Sequence, residues 1–140
     1  MKRRTLFLIL TVILLFASNS LFSFSKKEVQ IEEPIISAKY NKIDPMSAKE
    51  VFDTQKDITI IDVRTAGEFE SGHIEKSINI PLDVIEATVL EKYPNKDEKL
   101  YLYCRSGNRS SQAAKLLVNQ GYTNVYDFGG IISWPYEVVK

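Results

Sequence analysis

The sequence of 140 residues has the length of one domain, and its composition, 44% hydrophobic and 11% aromatic, is that of an ordinary globular protein. Its 18 basic and 18 acidic side chains cancel, which argues against a nucleic-acid-binding protein, because such proteins carry an excess of Lys and Arg. A single Cys and a single His exclude an internal disulfide and an ordinary structural zinc site.

The first 25 residues have the layout of an export signal. Three basic residues and no acidic ones precede an apolar run from Leu6 to Ala17, and small and polar residues follow. Nothing polar alternates along this run, as it would in a helix of a domain core. We expect an exported protein, periplasmic or otherwise extracytoplasmic, with cleavage after Ser20 or Ser25. If uncleaved, Leu6–Phe24 is about long enough to anchor the protein in a membrane, which is the only membrane contact we expect.

Residues 26–42 are charged, are broken by Pro34 and keep no period for long, so we interpret them as a linker or lead-in strand. A single domain follows at residues 43–140. Asp44-Pro45 predicts the start of a helix to about Gln55, with Met46, Ala48, Val51 and Phe52 facing inward. Ser47 with Glu50 offers a competing start for the same helix.

Strands and helices alternate along the rest of the domain. We predict strands at Ile58–Val63, Ile78–Pro81, Leu100–Tyr103 and Asn124–Asp127. Helices are predicted at Thr65–Ser71, Asp83–Tyr93, Ser110–Gln120 (with Ala113, Leu116, Leu117 and Gln120 inward) and, after a turn at Gly129-Gly130, Ile131–Val139. This order predicts an α/β fold, a parallel sheet with helices on both faces, whose site lies at the carboxyl ends of the strands.

The segment Cys104–Ser110 (CRSGNRS) joins a predicted strand directly to a predicted helix. Such a turn directs backbone N–H groups and the positive end of the helix dipole toward its own centre. A Cys at a strand end is often an inert core residue, but a helix start and neighbouring arginines both lower a thiol pKa. We therefore predict a catalytic thiolate at Cys104 and an anion-binding loop formed by Arg105, Ser106, Gly107, Asn108, Arg109 and Ser110.

This loop closely resembles the active-site loop of the rhodanese (sulfurtransferase) homology domain. The family's other motifs follow in order: Asp62-Val63-Arg64, Glu68-Phe69, Gly72-His73-Ile74, Asn79-Ile80-Pro81, Phe128-Gly129-Gly130 and Trp134. The resemblance spans residues 43–140 and implies a five-stranded parallel sheet in a single-domain, exported member. Lys76-Ser77 stands where the family commonly has Gly-Ala, a departure that we expect to leave the chemistry unchanged.

For the chemistry, the resemblance implies transfer of a sulfane sulfur through a persulfide on Cys104. The donor would be a small sulfur-containing anion such as thiosulfate, and the acceptor cyanide in an assay, a thiol, or a sulfur-accepting protein. Backbone N–H groups of residues 105–110 would stabilise the anionic sulfur, and we expect no metal or organic cofactor. With no second cysteine, the persulfide has to be discharged to another molecule.

Asp62, Arg64 and Glu68 are expected to support the loop, with a carboxylate of Asp62 or Glu68 paired with an arginine. We interpret His73 as a structural hydrogen-bonding residue rather than the partner of a Cys–His pair. Trp134 with Tyr136 is expected to pack as core or lid.

Two other functions use a similar loop. Phosphatases and arsenate reductases place one residue more between Cys and Arg than the four found between Cys104 and Arg109, so that Ser110 occupies their Arg position. A persulfide carrier or a partner-binding module would have the same sequence features as the enzyme.

Overall fold

The computed structural model describes residues 39–140, so the predicted export signal and residues 26–38 lie outside the described residues. The strands are β1 (Asn41–Lys42), β2 (Thr59–Asp62), β3 (Ile78–Asn79), β4 (Leu100–Cys104) and β5 (Val125–Gly130). The helices are α1 (Pro45–Thr54), α2 (Ala66–Glu70), α3 (Ile85–Lys92) and α4 (Asn108–Asn119), with short 3-10 turns at Leu82–Val84 and Ile131–Ser133.

The five strands form one parallel sheet in the order β1-β5-β4-β2-β3, which confirms the predicted fold. β4 lies at its centre and pairs with β2 on one side and β5 on the other. The segment before residue 43, interpreted from the sequence as a linker or a lead-in strand, contains β1, which pairs with β5. Because every strand runs the same way, β2 and β4 end at the same edge of the sheet.

Side chains of β4 alternate between two hydrophobic clusters. Leu100, Leu102 and Cys104 belong to a cluster that includes residues of α3 and α4. Tyr101 and Tyr103 belong to a second cluster, with Ala48 and Phe52 of α1 and Trp134. Successive residues of a strand point to opposite faces, so the sheet is covered on both sides, and Cys104 lies on the α4 side.

The helix starts follow from local capping. Asp44 caps α1, its Oδ1 accepting from the backbone N–H groups of Met46 and Ser47 at 3.0 Å, which settles the start in favour of Asp44-Pro45. Thr65 caps α2 in a capping box with Glu68. The predicted helix at Asp83 begins instead with the 3-10 turn at Leu82–Val84, and α3 proper starts at Ile85.

Two inward assignments were wrong. Met46 is 66% exposed, because the first turn of α1 extends past the edge of the core and only the later Ala48 and Phe52 are buried. Gln120 is exposed, because α4 ends at Asn119 and Gln120 already belongs to its C-terminal cap.

The predicted turn at Gly129-Gly130 and the predicted last helix at Ile131–Val139 were also wrong. Both glycines belong to β5, and only Ile131–Ser133 forms a helical turn. The segment after Ser133 instead pairs with a distant part of the chain: the N–H and C=O groups of Val139 and His73 exchange two hydrogen bonds of 2.9 Å. Such a long-range bridge leaves no local period to detect in the sequence.

Within residues 39–140, no helix is long and apolar enough to cross a membrane. The same residues contain no group of three or more His, Cys, Asp or Glu side chains placed to hold a metal ion.

Candidate active site

The loop begins where β4 ends. Cys104 is the last residue of β4 and is buried, and Gly107 is the N-cap of α4 with a φ of +97°. Helix α4 therefore starts at Asn108, and the predicted start at Ser110 was two residues late. The reason is that Gly107 takes a left-handed conformation that turns the chain into the helix sooner, so that Asn108 and Arg109 belong to its first turn.

The sulfur of Cys104 faces backbone donors of its own loop. The N–H of Gly107 donates to Sγ over 3.1 Å. Burial raises the pKa of the Cys104 thiol, but hydrogen bonding from the backbone and hydroxyl of Ser110 and from the N–H groups of Gly107 and Ser106 outweighs it, so the pKa lies below its ordinary value. The predicted lowering is confirmed, although loop N–H groups and a hydroxyl cause it more than the two arginines do.

Ser110 is fully buried at the base of the loop. Its Oγ lies 3.1 Å from the Gly107 carbonyl oxygen and 3.3 Å from that of Gly129. The Ser110 side chain thus ties the first turn of α4 both to the loop and to the end of β5. Ser106 and Asn108, by contrast, are exposed at the top of the loop, where a ligand can reach them.

Arg109 forms a two-pronged ion pair with Glu68 of α2. Its Nη1 and Nη2 donate to the two carboxylate oxygens of Glu68, each over 2.7 Å. The hydrogen bonds from Arg109, together with those from Thr65, lower the pKa of Glu68 to about 2 despite its partial burial. The pairing expected between an arginine and Asp62 or Glu68 is thereby confirmed, and it fastens the loop to α2.

Arg105 differs from Arg109 in its exposure and in its side-chain contacts. It is exposed, and its guanidinium makes no hydrogen bond or ion pair with any other residue in the range 39–140. Only its backbone is held, since the carbonyl oxygen of Arg105 accepts from the N–H of Ile132 over 3.3 Å. The side chain of Arg105 is therefore available to an anionic ligand.

Asp62 and Arg64 form a buried ion pair where β2 ends. Arg64 donates from Nε and Nη2 to the Asp62 carboxylate, at 2.6 Å for the shortest bond, and also to the carbonyl oxygen of Gly72. Asn79, for which the sequence predicted no role in the site, donates from Nδ2 to the carbonyl oxygens of both Asp62 and Arg64. These residues support the sheet edge beside the loop, and their polar groups are already used by one another.

Lys76-Ser77, the departure from the family pattern, is connected to strand β4 through the Ser77 side chain. Ser77 donates to the Ile74 carbonyl oxygen over 2.6 Å, and its Oγ lies 3.0 Å from the hydroxyl of Tyr103, which also accepts from the N–H of Ile74. Tyr103 precedes Cys104 in the chain, so Ser77 helps to fix the strand that carries the thiol. Lys76 adopts a φ of 67°, a conformation better suited to glycine.

His73 takes the structural role predicted for it. Its Nδ1 donates to the carbonyl oxygen of Phe69 over 3.0 Å, and its ring stacks on the Phe69 ring with centroids 3.8 Å apart. Trp134 is buried in the cluster with Phe52, whereas Tyr136 is 40% exposed. Neither His73 nor Trp134 hydrogen-bonds to Cys104 in the described part of the chain.

Comparison with known proteins places this site in a family. The family model of the rhodanese-like domain matches residues 45–135. A sulfurtransferase of Allochromatium vinosum is 38% identical over 95 residues, which cover 67% of this chain and 87% of the relative. The thiosulfate sulfurtransferase PspE of Escherichia coli is 35% identical over 80 residues, covering 57% of this chain and 77% of the relative.

Among solved structures, a rhodanese with anions from Escherichia coli is similar, with a TM-score of 0.55 and 33% identity, covering 59% of this chain and 96% of that one. The chain belongs to the rhodanese-like domain family, which confirms the resemblance found in the motifs. Its sulfurtransferase relatives place it among the transferases of that family.

Proposed function

We propose that the protein moves a sulfane sulfur from an anionic donor such as thiosulfate to a thiophilic acceptor, through a persulfide on Cys104. The observation that carries the proposal is the contact between the Gly107 N–H and Cys104 Sγ at 3.1 Å, inside a loop that lowers the pKa of the thiol. N–H donors around the thiolate keep it ionised and therefore nucleophilic. The same donors can stabilise the persulfide anion that forms on Cys104 after the attack.

In the first step, the Cys104 thiolate attacks the outer sulfur of thiosulfate. A new S–S bond forms to Cys104 while the S–S bond of the donor breaks, and sulfite leaves with the electron pair. In the second step, an acceptor nucleophile attacks the terminal sulfur of the persulfide, and the Cys104 thiolate leaves. With cyanide the product is thiocyanate, and with a thiol it is a new persulfide. The two half-reactions predict ping-pong kinetics.

The loop residues divide into donor binding and loop support. Arg105 is exposed and unpaired among residues 39–140, so it supplies the charge that holds the anionic donor. Arg109 is engaged by Glu68 and holds the loop in shape. This pairing also disfavours a phosphatase-like function, in which the arginine of the loop must turn toward the bound oxyanion.

The relatives support the choice of donor. PspE is a thiosulfate sulfurtransferase, and the similar solved rhodanese was determined with anions. The acceptor in the cell would be a thiol or a sulfur-accepting protein. Because Cys104 is the only cysteine, no second thiol of the chain can take the sulfur. The two half-reactions need no metal or organic cofactor.

Mass spectrometry of the purified protein tests this proposal. After treatment with thiosulfate, the wild-type protein should gain one sulfur atom on Cys104, and cyanide should remove it with release of thiocyanate. The matched control is Cys104→Ser, which keeps the size of the side chain and should gain nothing. An unmodified wild-type protein, or sulfur retained after cyanide, would count against the proposed transfer.

We also propose that the protein is exported, on the basis of the basic start and apolar run of residues 1–25. Expression of the full chain with cell fractionation and N-terminal sequencing tests the proposal. The expected result is a chain outside the cytoplasm, either beginning after Ser20 or Ser25 or retained at a membrane with its first residues intact. Recovery of the intact chain from the soluble cytoplasm would overturn it.

A further inference from the structure

We propose that Gly130 is a positioning residue for the Cys104 nucleophile. The end of β5, residues 127–130, lies against the backbone of the loop and supports it, and we call this strand end the seat of the loop. The seat leaves no room for a side chain at position 130. The proposal rests on the proposed role of Cys104 in sulfur transfer. It concerns a strand end that the sequence pattern predicts as a turn, and a residue for which no part in the chemistry was expected.

A β-bulge brings Gly130 to the nucleophile. Leu102 of β4 pairs with Asp127, but Cys104, two residues later, pairs with Gly130, three residues later on β5. The extra residue in β5 is accommodated where Gly129 adopts a φ of +92°. Bulges bend a strand and redirect the residues beyond the bend, and they are over-represented next to active sites, although they are rarer in parallel pairs such as this one.

The backbone of the loop lies directly against Gly130. A Cβ placed on Gly130 would be 2.3 Å from the carbonyl oxygen of Arg105 and 2.6 Å from the Cα of Ser106. Both are backbone atoms, so no flexible side chain can move aside to make room. Any side chain at position 130 therefore has to displace the loop itself, or the strand beneath it.

Further contacts tie the bulge to the loop and to the core. The Oδ1 of Asp127, a buried carboxylate, accepts from the N–H of Gly129 over 3.0 Å. On the other side, the carbonyl oxygen of Gly129 lies 3.3 Å from Ser110 Oγ. A Cβ on Gly107 would stand 3.4 Å from the Cα of Gly129, so the loop touches the bulge at Gly107 as well as at Arg105 and Ser106.

The seat affects the reaction because the loop stabilises the Cys104 sulfur only while its N–H groups point at that atom. The Gly107 N–H that donates to Cys104 Sγ belongs to the same short segment as Arg105 and Ser106. Lifting that segment from β5 moves this donor away from the sulfur, whereas the sulfur itself stays on β4. The thiolate then loses stabilisation, and so does the transition state of sulfur transfer.

The test compares Gly130→Ala with Gly121→Ala. Gly130 has an extended backbone with a φ of −121°, whereas Gly121 has a positive φ of +92°. A Cβ on Gly121 meets nothing within 4 Å, and Gly121 lies just beyond the far end of α4. Both variants should be less stable than the wild type, Gly130→Ala because of the clash and Gly121→Ala because of its positive φ. A melting curve is therefore recorded for each. The measurement that separates them is the rate of Cys104 alkylation by iodoacetamide as a function of pH, because only a loop effect changes its midpoint.

We expect the midpoint of Gly130→Ala to rise toward that of a model thiol and its kcat/KM for thiosulfate at neutral pH to fall about tenfold to a hundredfold. Gly121→Ala should keep the wild-type midpoint and the wild-type kcat/KM, whatever its melting temperature. A folded Gly130→Ala protein with the wild-type midpoint would overturn the proposal. So would an equal shift of the midpoint in both variants.

Asp127 supplies a second test if Gly130→Ala does not fold. Asp127→Asn keeps an oxygen that can accept from the Gly129 N–H, whereas Asp127→Ala removes it. The alkylation midpoint should rise in Asp127→Ala and be restored in Asp127→Asn. Equal midpoints in the wild type and Asp127→Ala would contradict the seat, and so would a shift that Asp127→Asn does not rescue.

Other charged groups near the thiol stay the same in these comparisons. Arg109 is paired with Glu68, and Arg64 with Asp62. Arg105 carries its charge in every variant. Because alkylation needs no sulfur donor, its midpoint still tests the seat if the wild-type protein takes no sulfur from thiosulfate. A failure of the proposed function can thus be told apart from a failure of this inference.

Discussion

Strands β2 and β4 are neighbours that end at the same edge of the sheet, yet their ends are built in opposite ways. At the end of β2, the Asp62 carboxylate and the Arg64 guanidinium are buried against each other, and Asn79 donates to the adjoining carbonyl oxygens. At the end of β4, N–H groups are directed at one sulfur, and Arg105 extends into solvent. The polar groups at the end of β2 bind one another, whereas those at the end of β4 are available to a ligand.

The difference shows where a site can form at a shared edge. A buried charge must be paired, because leaving it alone in the interior costs several kcal/mol, so the end of β2 is closed to ligands. A loop of backbone donors has no such need, since the thiolate or a bound anion completes it. Substitutions at the two ends should accordingly affect different measurements, stability at β2 and catalysis at β4.

The largest effect is expected for Arg64→Ala at the closed end. The change leaves Asp62 buried without its partner, and breaking a buried pair on one side costs about 3–5 kcal/mol. Urea unfolding monitored by circular dichroism measures the loss. Asp62→Asn combined with Arg64→Met is the matched control, because it removes both charges together and should cost less. A free energy of unfolding for Arg64→Ala equal to that of the wild type would show that the pair does not support this edge.

Arg105→Ala should have the next largest effect, and on catalysis alone. Losing one charge-assisted contact to thiosulfate should cost roughly 1.5–3 kcal/mol of transition-state stabilisation, which lowers kcat/KM about tenfold to a hundredfold. Most of this loss should appear as a higher KM. An uncharged donor, such as an organic trisulfide with neutral end groups, should be spared, as should the melting temperature. Arg105→Lys keeps the charge and should recover part of the loss. Equal losses on both donors with a lower melting temperature would assign the supporting role to Arg105 instead.

Glu68→Gln and Arg109→Ala should have smaller effects, spread over both measurements. The pair is only about 30% exposed on either side chain, and its loss should cost about 1 kcal/mol of stability. Both donors should then lose activity alike, because a loosened loop misplaces all of its N–H groups. Unfolding curves and kcat/KM for thiosulfate and a neutral donor test this. A loss confined to thiosulfate would mean that Arg109 binds the donor.

The same pair gives a pH dependence with a definite sign. The pKa of Glu68 is lowered on folding to about 2, so its contribution to stability is complete above the pKa of the unfolded chain, about 4.3. It is lost as the pH falls from there toward 2. The stability difference between the wild type and Glu68→Gln should therefore be constant near neutral pH and shrink below about pH 4. A constant difference down to the acid limit would contradict the pairing.

The smallest effect is expected for Lys76→Gly, which lies away from both strand ends. Lys76 has a φ of 67°, and relief of its left-handed strain should raise stability by about 1 kcal/mol or less, partly offset by the greater freedom of glycine in the unfolded chain. The alkylation midpoint of Cys104 should not change. A melting curve decides the first point, and a loss of stability would show that the lysine side chain contributes contacts of its own.

Most of the architecture could be predicted from local patterns. The alternation of strands and helices, the caps at Asp44 and Thr65 and the strand–loop–helix unit around Cys104 all leave signals within a few residues. The lowered pKa of the thiol also followed from the sequence, because a strand end joined to a helix start is itself a local feature. The family motifs then extended the same reasoning to sulfur chemistry.

The errors fell where distant parts of the chain determine the structure. Gly129-Gly130 has the composition of a turn, yet pairing with β4 makes it a bulged strand end. The segment after Ser133 has a mixed apolar pattern, and its pairing with His73 depends on a contact between residues far apart in the chain. The start of α4 at Asn108 was missed for a smaller reason, since Gly107 was predicted only as part of the anion-binding loop and not as the N-cap of the helix.

The alternation along β4 makes the sheet a partition between two packing units. Cys104 shares its side with α3 and α4, whereas Tyr101 and Tyr103 share the other side with α1. Substitutions placed on opposite sides have few common neighbours, so their effects on stability should add. Substitutions in the cluster of α1 can therefore accumulate with little effect on the position of Cys104. The exception is Tyr103, which precedes Cys104 and whose hydroxyl is hydrogen-bonded to Ser77, so a change at this contact should reach the strand that carries the thiol.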